Sequence, residues 1–398
     1  MSLRGARVAN KQPLRVLWWS RAVSFTGDGV GRTALVLFAA THGAGAVSLV
    51  LLAIALPRFL GPVAGALADR VDQRRLMAVC ELGQAAVFAV LATILPPLPV
   101  LVALVFVTGC LSTAFVPAGR SAVPALVPDR DLGRANALLG TAFNLQLALG
   151  PTVGGLAVEL GGARVAFAVN AVTFLVSALI LTRLPVLRPV GNHSGLWQET
   201  LAGLRFVAAT PGPRALVLAL FLGVSFAATE NVALVFLVPA PAEFGLTQAA
   251  FGVGMLVAST VLGLLFGRRS AVVLLACGFG LFSAGAFGTA AAPVLVAIAA
   301  AQLVAGAGNG LENIATDTLV QRVTPRPLLG RVFGAVATAA QLGSAVAYLI
   351  ATPLVTLIGP HGTFVVAGAG SLLALLVATP ALRLAGRQSV GRQRTMRC

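Results

Sequence analysis

The sequence predicts an all-α membrane protein: twelve transmembrane helices in two pseudo-symmetric six-helix bundles, with both termini cytoplasmic. Three observations predict it. The first is composition. Of 398 residues, 58% are hydrophobic and only 10% charged, with a mean hydropathy of +0.94; a soluble chain has roughly 45–50% and about 25%. A soluble fold cannot hide that much apolar surface, so most of the solvent is lipid. The second is where the basic residues fall, and the third is an internal repeat.

The spans follow from apolar runs between turn and charge signals, since a helix needs about 20 residues to cross the bilayer core. The runs are 14–40, 46–68, 76–95, 99–119, 138–159, 165–183, 213–238, 248–267, 271–291, 294–317, 332–353 and 363–383. The first run is the weakest span, because Asp28 and Arg32 lie inside it and Arg21 near its start. Each such charge costs about 2.5–3.5 kcal/mol at the helix centre. The second run carries a kink candidate, Pro57, directly before Arg58. Short turns at Pro96-Pro97-Leu98-Pro99 and Gly161-Gly162 separate hairpin partners.

The longest polar break, 184–212, contains Trp197, Leu201, Leu204 and Ala208 at helical spacing and closes on Pro211 and Pro213. It reads as an amphipathic helix on the cytoplasmic membrane surface. The predicted organisation is therefore a cytoplasmic tail (1–13), a first bundle (14–183), a linker (184–212), a second bundle (213–383) and a basic cytoplasmic tail (384–398).

Lys and Arg outnumber Asp and Glu by 28 to 12, a net charge of +16. In a soluble protein that excess points to nucleic acid. With an inside N-terminus, 25 of the 28 fall in predicted cytoplasmic segments or at the cytoplasmic ends of spans; Arg32 and Arg58 lie deeper in spans, and only Arg164 in an outer loop. The charge is thus a topology label, and no nucleic-acid partner is expected. Lys11 is the sole lysine, so no phosphate-binding P-loop is present on this chain. Cys80, Cys110, Cys277 and Cys398 form no readable disulfide framework. No G-x-S-x-G occurs, and His42, His193 and His361 are scattered without metal-ligand spacing. These features argue against an enzyme, a metal site or a cofactor.

The halves look related. Pro128 to Arg134 and Pro325 to Arg331 both read P-x-x-x-L-G-R, 197 residues apart, each after the fourth span of its half. Val23-Ser24-Phe25 and Val224-Ser225-Phe226 fall early in spans one and seven, and Arg74-Arg75 and Arg268-Arg269 follow spans two and eight. Parallel repeats of this kind in secondary transporters put the substrate site between the halves, near the midplane.

The loop Gly65-Ala66-Leu67-Ala68-Asp69-Arg70-Val71-Asp72-Gln73-Arg74-Arg75 resembles the G-x-x-x-D-R-x-G-R-R signature of the major facilitator superfamily. Gly65 is expected to allow close helix packing. Asp72 stands where that signature has glycine. The D-R-x-D-x-R-R form resembles the third drug:proton antiporter branch, with its enterobactin-exporter-like and macrolide-efflux-like proteins. Ser24 to Asp28 (SFTGD), Val123 to Leu138 and Gln321 to Gly334 fit the same branch. In span five, Gly150-Pro151-Thr152-Val153-Gly154-Gly155 resembles the G-P-x-x-G-G antiporter motif. Many proton antiporters of the superfamily carry an arginine within span four. Here 99–119 has no charge and Arg120 lies beyond its predicted end, so Arg58 is the expected substitute.

The resemblance implies a monomeric transporter of the cell inner membrane that exports a small amphipathic compound, such as a drug, antibiotic or siderophore-like metabolite, in exchange for protons. An importer or facilitator of the same fold, or a receptor that binds without transport, is the alternative. Ionisable residues inside the bilayer are functional candidates by default. Asp28 with Arg32 one turn further on, Arg58, and Glu230 in span seven are the expected proton-coupling set. Burial disfavours a charged carboxyl and a nearby arginine favours it, so a carboxyl exposed alternately to each side binds and releases protons. Glu81, Glu312 and Asp317 lie nearer the cytoplasm and are expected to join Gly65, Asp69, Arg70, Arg74 and Arg75 in a cytoplasmic gate. Gly306, Gly308 and Gly310, at alternating positions of span ten, read as packing.

Overall fold

The protein is described here as a computed structural model of residues 12–68, 70–187, 205–262, 271–325 and 328–395. The predicted amphipathic helix in the linker, Asp69, and the ends of the chain lie almost wholly outside those residues. The described residues are helical nearly throughout, as hydrocarbon requires: without water, every backbone group must bond within its own segment. In order, the helices are α1 (Gln12–Ala40), α2 (Ala44–Ala55), α3 (Gly61–Ala68), α4 (Gln73–Ile94), α5 (Leu98–Leu126), α6 (Leu132–Leu181), α7 (Pro211–Ala227), α8 (Glu230–Leu237), α9 (Pro241–Val257), α10 (Ala271–Ala291), α11 (Leu295–Val323) and α12 (Leu329–Thr395).

Several of these join into longer rods with local defects. Pro57 sits in a 3-10 turn, Leu56–Leu60, between α2 and α3. Proline has no N–H to give and its ring crowds the preceding turn, so the α-helical ladder is interrupted at the predicted position. α7 and α8 are separated at Ala228 and Thr229, where the Thr229 hydroxyl donates to the Phe226 carbonyl at 2.6 Å. α9 runs into a π turn, Ala258–Leu262, where the Ser259 and Thr260 hydroxyls both donate to the Leu256 carbonyl, at 3.0 and 2.7 Å. Hydroxyls that take a backbone carbonyl loosen the helical ladder at such points.

α6 has 50 residues and α12 has 67. At 1.5 Å per residue, a straight 50-residue helix spans about 75 Å, more than twice the hydrocarbon thickness. Both are broken, at Gly162 (φ 72°, ψ 179°) and Gly359 (φ 72°, ψ 174°). Only glycine adopts that region readily. The two breaks are 197 residues apart, the same interval that separates the starts of α6 and α12 and the two L-G-R sequences. The repeat read from side chains is therefore also a repeat of backbone geometry. Leu160 and Leu357 obey the same interval and are 86% and 81% exposed. Large apolar side chains facing outward at these levels fit lipid, not water.

Among the described residues, eight helical stretches are long and apolar enough to cross a membrane: Ala44–Ala68, Gln73–Ile94, Leu98–Leu126, Asp129–Leu181, Pro211–Leu237, Ala271–Ala291, Leu295–Val323 and Leu329–Thr379. The two of 53 and 51 residues contain the glycine breaks. α1 is not among the eight, since Asp28 and Arg32 lower its hydropathy, and α9 alone has 17 residues.

The chain divides into two compact units. The first comprises the described parts of 1–38 and 56–193, the second those of 39–55 and 194–398. The core of the first holds Leu17, Met77, Cys80, Phe115 and Leu181. In the second, Leu216, Leu275, Phe279, Leu311 and Leu319 belong to one apolar cluster. α2 groups with the second unit: the Thr352 hydroxyl on α12 donates to the Ser48 hydroxyl at 2.8 Å.

Three local expectations change. α5 runs on to Leu126, through Pro117 and Pro124, so Arg120 lies inside this helix and not beyond its end. The apolar run stops where the side chains turn polar, but the backbone bonds continue. Gly65 does not mediate a close approach: a Cβ there would meet nothing within 4 Å. Asp72 needs no glycine-like backbone. It has φ −60° and caps α4, its Oδ1 accepting from the Arg74 N–H at 2.9 Å and the Leu187 N–H at 3.4 Å. The carboxylate thus ties the loop before α4 to the segment after α6. Its ion pair with Arg75, at 3.9 Å and with Arg75 exposed, adds little.

Candidate functional site

In the first unit the site is built on α1, whose glycines let neighbouring helices approach. A Cβ on Gly29 would lie 2.7 Å from the Cα of Gly150, and one on Gly150 would lie equally close to Gly29. A Cβ on Gly154 would lie 2.9 Å from the Cβ of Thr33. The Gly150, Pro151, Gly154, Gly155 motif thus presses the first arm of α6 onto α1 beside Asp28. Gly27 and Gly31 admit the second arm: added Cβ atoms would strike Thr173 and Asn170 at the one, Asn170 and Phe88 at the other. Phe88 in turn packs on Phe167 and Phe174, with ring centroids 6.0 and 5.7 Å apart. Two different faces of α1 are gripped, which fixes where the intervening Asp28 points.

Asp28 is partly buried and lies within electrostatic reach of both Arg32 and Arg58, whose side chains are exposed. The predicted i, i+4 neighbour and the arginine after the Pro57 kink are therefore brought together around one carboxyl. A third acid joins them. Glu81 on α4 is completely buried and within electrostatic reach of Asp28. Both of its carboxylate oxygens lack a hydrogen-bond partner. The hydroxyls of Ser24 and Ser177 face it. Ser177 is itself paired with Ser20, Oγ to Oγ at 2.7 Å.

A further buried cation lies elsewhere on α1. Arg21 is 8% exposed, its guanidinium lies on the backbone of Gly119 in α5, and Arg120 is within electrostatic reach. The Arg21 Nε has no hydrogen-bond partner.

In the second unit, Glu230 opens α8 immediately after the break at Ala228 and Thr229 and is 8% exposed. Its Oε2 has no hydrogen-bond partner, and Gln302 on α11 stands beside it. The Gln302 side chain donates to the Thr289 hydroxyl at 3.2 Å, which orients the amide. Glu312, also on α11, lies within electrostatic reach of Glu230 and has one unpartnered oxygen. Gly278 on α10 makes room for it, since a Cβ there would sit 2.7 Å from the Glu312 Cγ. Gly306 and Gly310 face the backbone of α9 at Phe251 and Met255, and Gly308 faces α10 at Gly278 and Phe282. The alternating glycines thus serve two neighbours at once.

Of the residues grouped as a gate, Arg70 is exposed in the loop before α4, Arg75 is exposed and Arg74 half-buried in its first turn, Asp317 is exposed, and Asp69 lies outside the described residues. Glu81 and Glu312 have other neighbours: one faces Asp28 and serine hydroxyls, the other Glu230. Sequence reasoning passed over Ser20, Ser177, Asn170, Thr289 and Gln302. Their signal was a polar side chain within an apolar run, weak for serine and threonine but readable for Asn170 and Gln302. Among the described residues, no group of three His, Cys, Asp or Glu side chains is placed to hold a metal ion.

The sequence profile of the Major Facilitator Superfamily matches residues 17–240 and 220–394, which together span nearly the whole chain. An uncharacterized MFS-type transporter, YfiS of Bacillus subtilis, is 29% identical over 383 residues, covering 90% of each chain. The multidrug efflux pump Tap of Mycolicibacterium fortuitum is 28% identical over 385 residues, covering 88% of this chain and 91% of its own. The putative bacilysin exporter BacE of Bacillus subtilis is 30% identical over 175 residues, 43% of each. Among solved structures, the nucleoside transporter NupG superposes with a TM-score of 0.75 at 11% identity, over 92% of this chain and 98% of that one. The human organic anion transporter MFSD10 does so with a TM-score of 0.66 at 18% identity, over 92% and 99%. At such identities these structures speak for the fold alone. With the helical repeat, its paired glycine breaks and a profile match over both halves, the chain belongs to the major facilitator superfamily of multi-pass membrane transporters.

Proposed function

We propose that the protein is a proton-coupled exporter of small amphipathic or hydrophobic compounds, working by alternating access in the cell inner membrane. In this reading it has twelve spans with both termini cytoplasmic. The eight apolar stretches supply ten, two of them being broken at glycine. α1 and α9 with its π turn supply the others. The bundles are 14–183 and 213–383, and the protein works as a monomer.

The observation that carries the reading is that each unit keeps acidic side chains in its interior. Asp28 stands among Arg32 and Arg58 in one, and Glu230 beside Gln302 in the other. Ionisable groups are costly within a bilayer and are kept there for ion or substrate pathways. The fit of the Gly150 motif against Gly29 supports it too, because that contact sets the position of the helix bearing Asp28. Direction is supported by relatives named as efflux proteins, Tap and BacE. The loop residues Gly65, Asp69, Arg70, Arg74 and Arg75, with Asp317, form the cytoplasmic gate in this reading.

The test uses inverted membrane vesicles with an inside-acid pH gradient and ethidium as probe. Wild-type protein accumulates the dye and collapses part of the gradient in doing so. Asp28→Asn loses at least about tenfold in gradient-driven accumulation, on the scale of losing one essential ionisable group. Full coupling in that variant removes Asp28 from the mechanism, and dye movement only in the opposite direction overturns export.

A further inference from the structure

We propose that Glu81 is a second proton-binding group of the first unit, paired with Asp28 across the hydroxyls of Ser24, Ser177 and Ser20. The proposal rests on the proton-coupled reading above and adds to it where the proton goes.

The geometry points to this in three steps. Ser20, Ser24 and Asp28 recur every four residues along α1, so they line one face of that helix over about 12 Å. Glu81 meets this stripe from α4 and Ser177 meets it from the second arm of α6. A row of oxygen-bearing side chains thus runs from Asp28 toward the start of α1, bordered by apolar core residues such as Leu17, Met77 and Leu181.

Second, Glu81 is 0% exposed and neither carboxylate oxygen has a partner. An ionised carboxylate left so is strongly disfavoured. A bound proton removes that penalty, and the Ser24 or Ser177 hydroxyl that faces the carboxyl receives or supplies it. The arginine nearest along α1, Arg21, does not serve as counter-charge, because its guanidinium lies on Gly119 of α5.

Third, the titratable groups facing Glu81 are Asp28 from α1 and the Cys80 thiol beside it on α4, with the Ser24 and Ser177 hydroxyls from α1 and α6. Two carboxyls in one buried site resist ionising together, so they bind protons as a pair. Transfer within the pair balances. Asp28 gives its proton to the Ser24 oxygen while Ser24 gives its own hydroxyl proton to Glu81. The hydroxyl ends as it began, and Asp28 is left ionised beside Arg32 and Arg58.

The experiment is infrared difference spectroscopy of the purified full-length protein between acid and alkaline pH, together with ethidium accumulation in inverted vesicles. A carboxyl band that titrates in wild type is expected to vanish in Glu81→Gln and to move its midpoint in Asp28→Asn. Glu81→Gln is expected to lose at least about tenfold in gradient-driven accumulation while ethidium counterflow without a gradient persists. Glu81→Asp restores the band and part of the accumulation, which separates loss of the carboxyl from misfolding. A spectrum unchanged by Glu81→Gln overturns the proposal, as does unimpaired accumulation in that variant. Erasure of the band by sodium at constant pH also overturns it, in favour of a cation site. If wild type shows the paired titration but no gradient-driven flux, the exporter reading fails and Glu81 stands as a proton site.

Discussion

The two units repeat one backbone plan but surround their buried acids differently. In the first, Asp28 has two arginines within reach, and Glu81 lies beside it among hydroxyls. In the second, Glu230 has the amide of Gln302 for a neighbour, and the second acid, Glu312, faces it directly. Gly162 and Gly359 show that the repeat preserves backbone breaks to within a few degrees. The difference teaches that the repeated plan conserves where helices bend while leaving the chemistry of the interior free to diverge. The first unit surrounds its acid with opposite charge, the second with a neutral amide, and the two arrangements should respond unequally to the same kind of substitution.

The largest expected effect tests the packing under the first site. Gly150→Val places a side chain against the backbone of Gly29, which cannot give way as a flexible side chain would. Overpacking of this kind costs about 1–3 kcal/mol or more. A fall in the unfolding temperature of the detergent-solubilised protein, with gradient-driven ethidium transport nearly abolished, is the expected result. Wild-type behaviour would mean that α1 and α6 are not held by this contact.

Next comes the comparison of the acids themselves. Asp28→Asn removes the negative charge near Arg32 and Arg58, whereas Glu230→Gln keeps a polar side chain beside the neutral amide of Gln302. The Asn variant should therefore lose more transport than the Gln variant, by about tenfold. Its residual activity should also respond more steeply to ionic strength, because the charge removed lies beside two exposed arginines whose interactions salt screens. Equal losses with equal salt response would erase the distinction drawn between the units.

Smaller effects probe the repeat. Gly162→Ala and Gly359→Ala each force a side chain into a backbone region suited to glycine, at a cost of about 1–3 kcal/mol. The two variants should lower thermal stability by similar amounts, and a one-sided effect would show that the breaks are not equivalent. The smallest effect belongs to Gly65→Ala, where a Cβ meets open space. Its stability should stay within about 0.5 kcal/mol of wild type. A transport defect with unchanged stability would then mark Gly65 as a residue of the moving gate.

Much of the fold was legible because membrane helices announce themselves locally. The run 271–291 coincides with α10, and Gly161-Gly162 forms the expected break. The same logic misjudged lengths. Hydropathy records the apolar part of a helix, so α5 and α11 continue past Arg120 and Asp317 to residues 126 and 323. The candidate site was legible in part. Asp28, Arg32, Arg58 and Glu230 stand out as charges in apolar surroundings. Glu81 and Glu312 stood out equally, but their sequence positions suggested a gate, and nothing local indicated that they face Asp28 and Glu230.

The sequence by itself determined the solvent, the helical class, the repeat and the break at Gly161-Gly162. Each depends on residues close in the chain or on a simple interval between them. The tertiary structure alone decided which acids share a site, which glycines touch backbone and which face open space. Those outcomes depend on how several helices rotate about their axes as they pack, and a rotation of one residue's angle, about 100°, carries a side chain from one neighbour to the next.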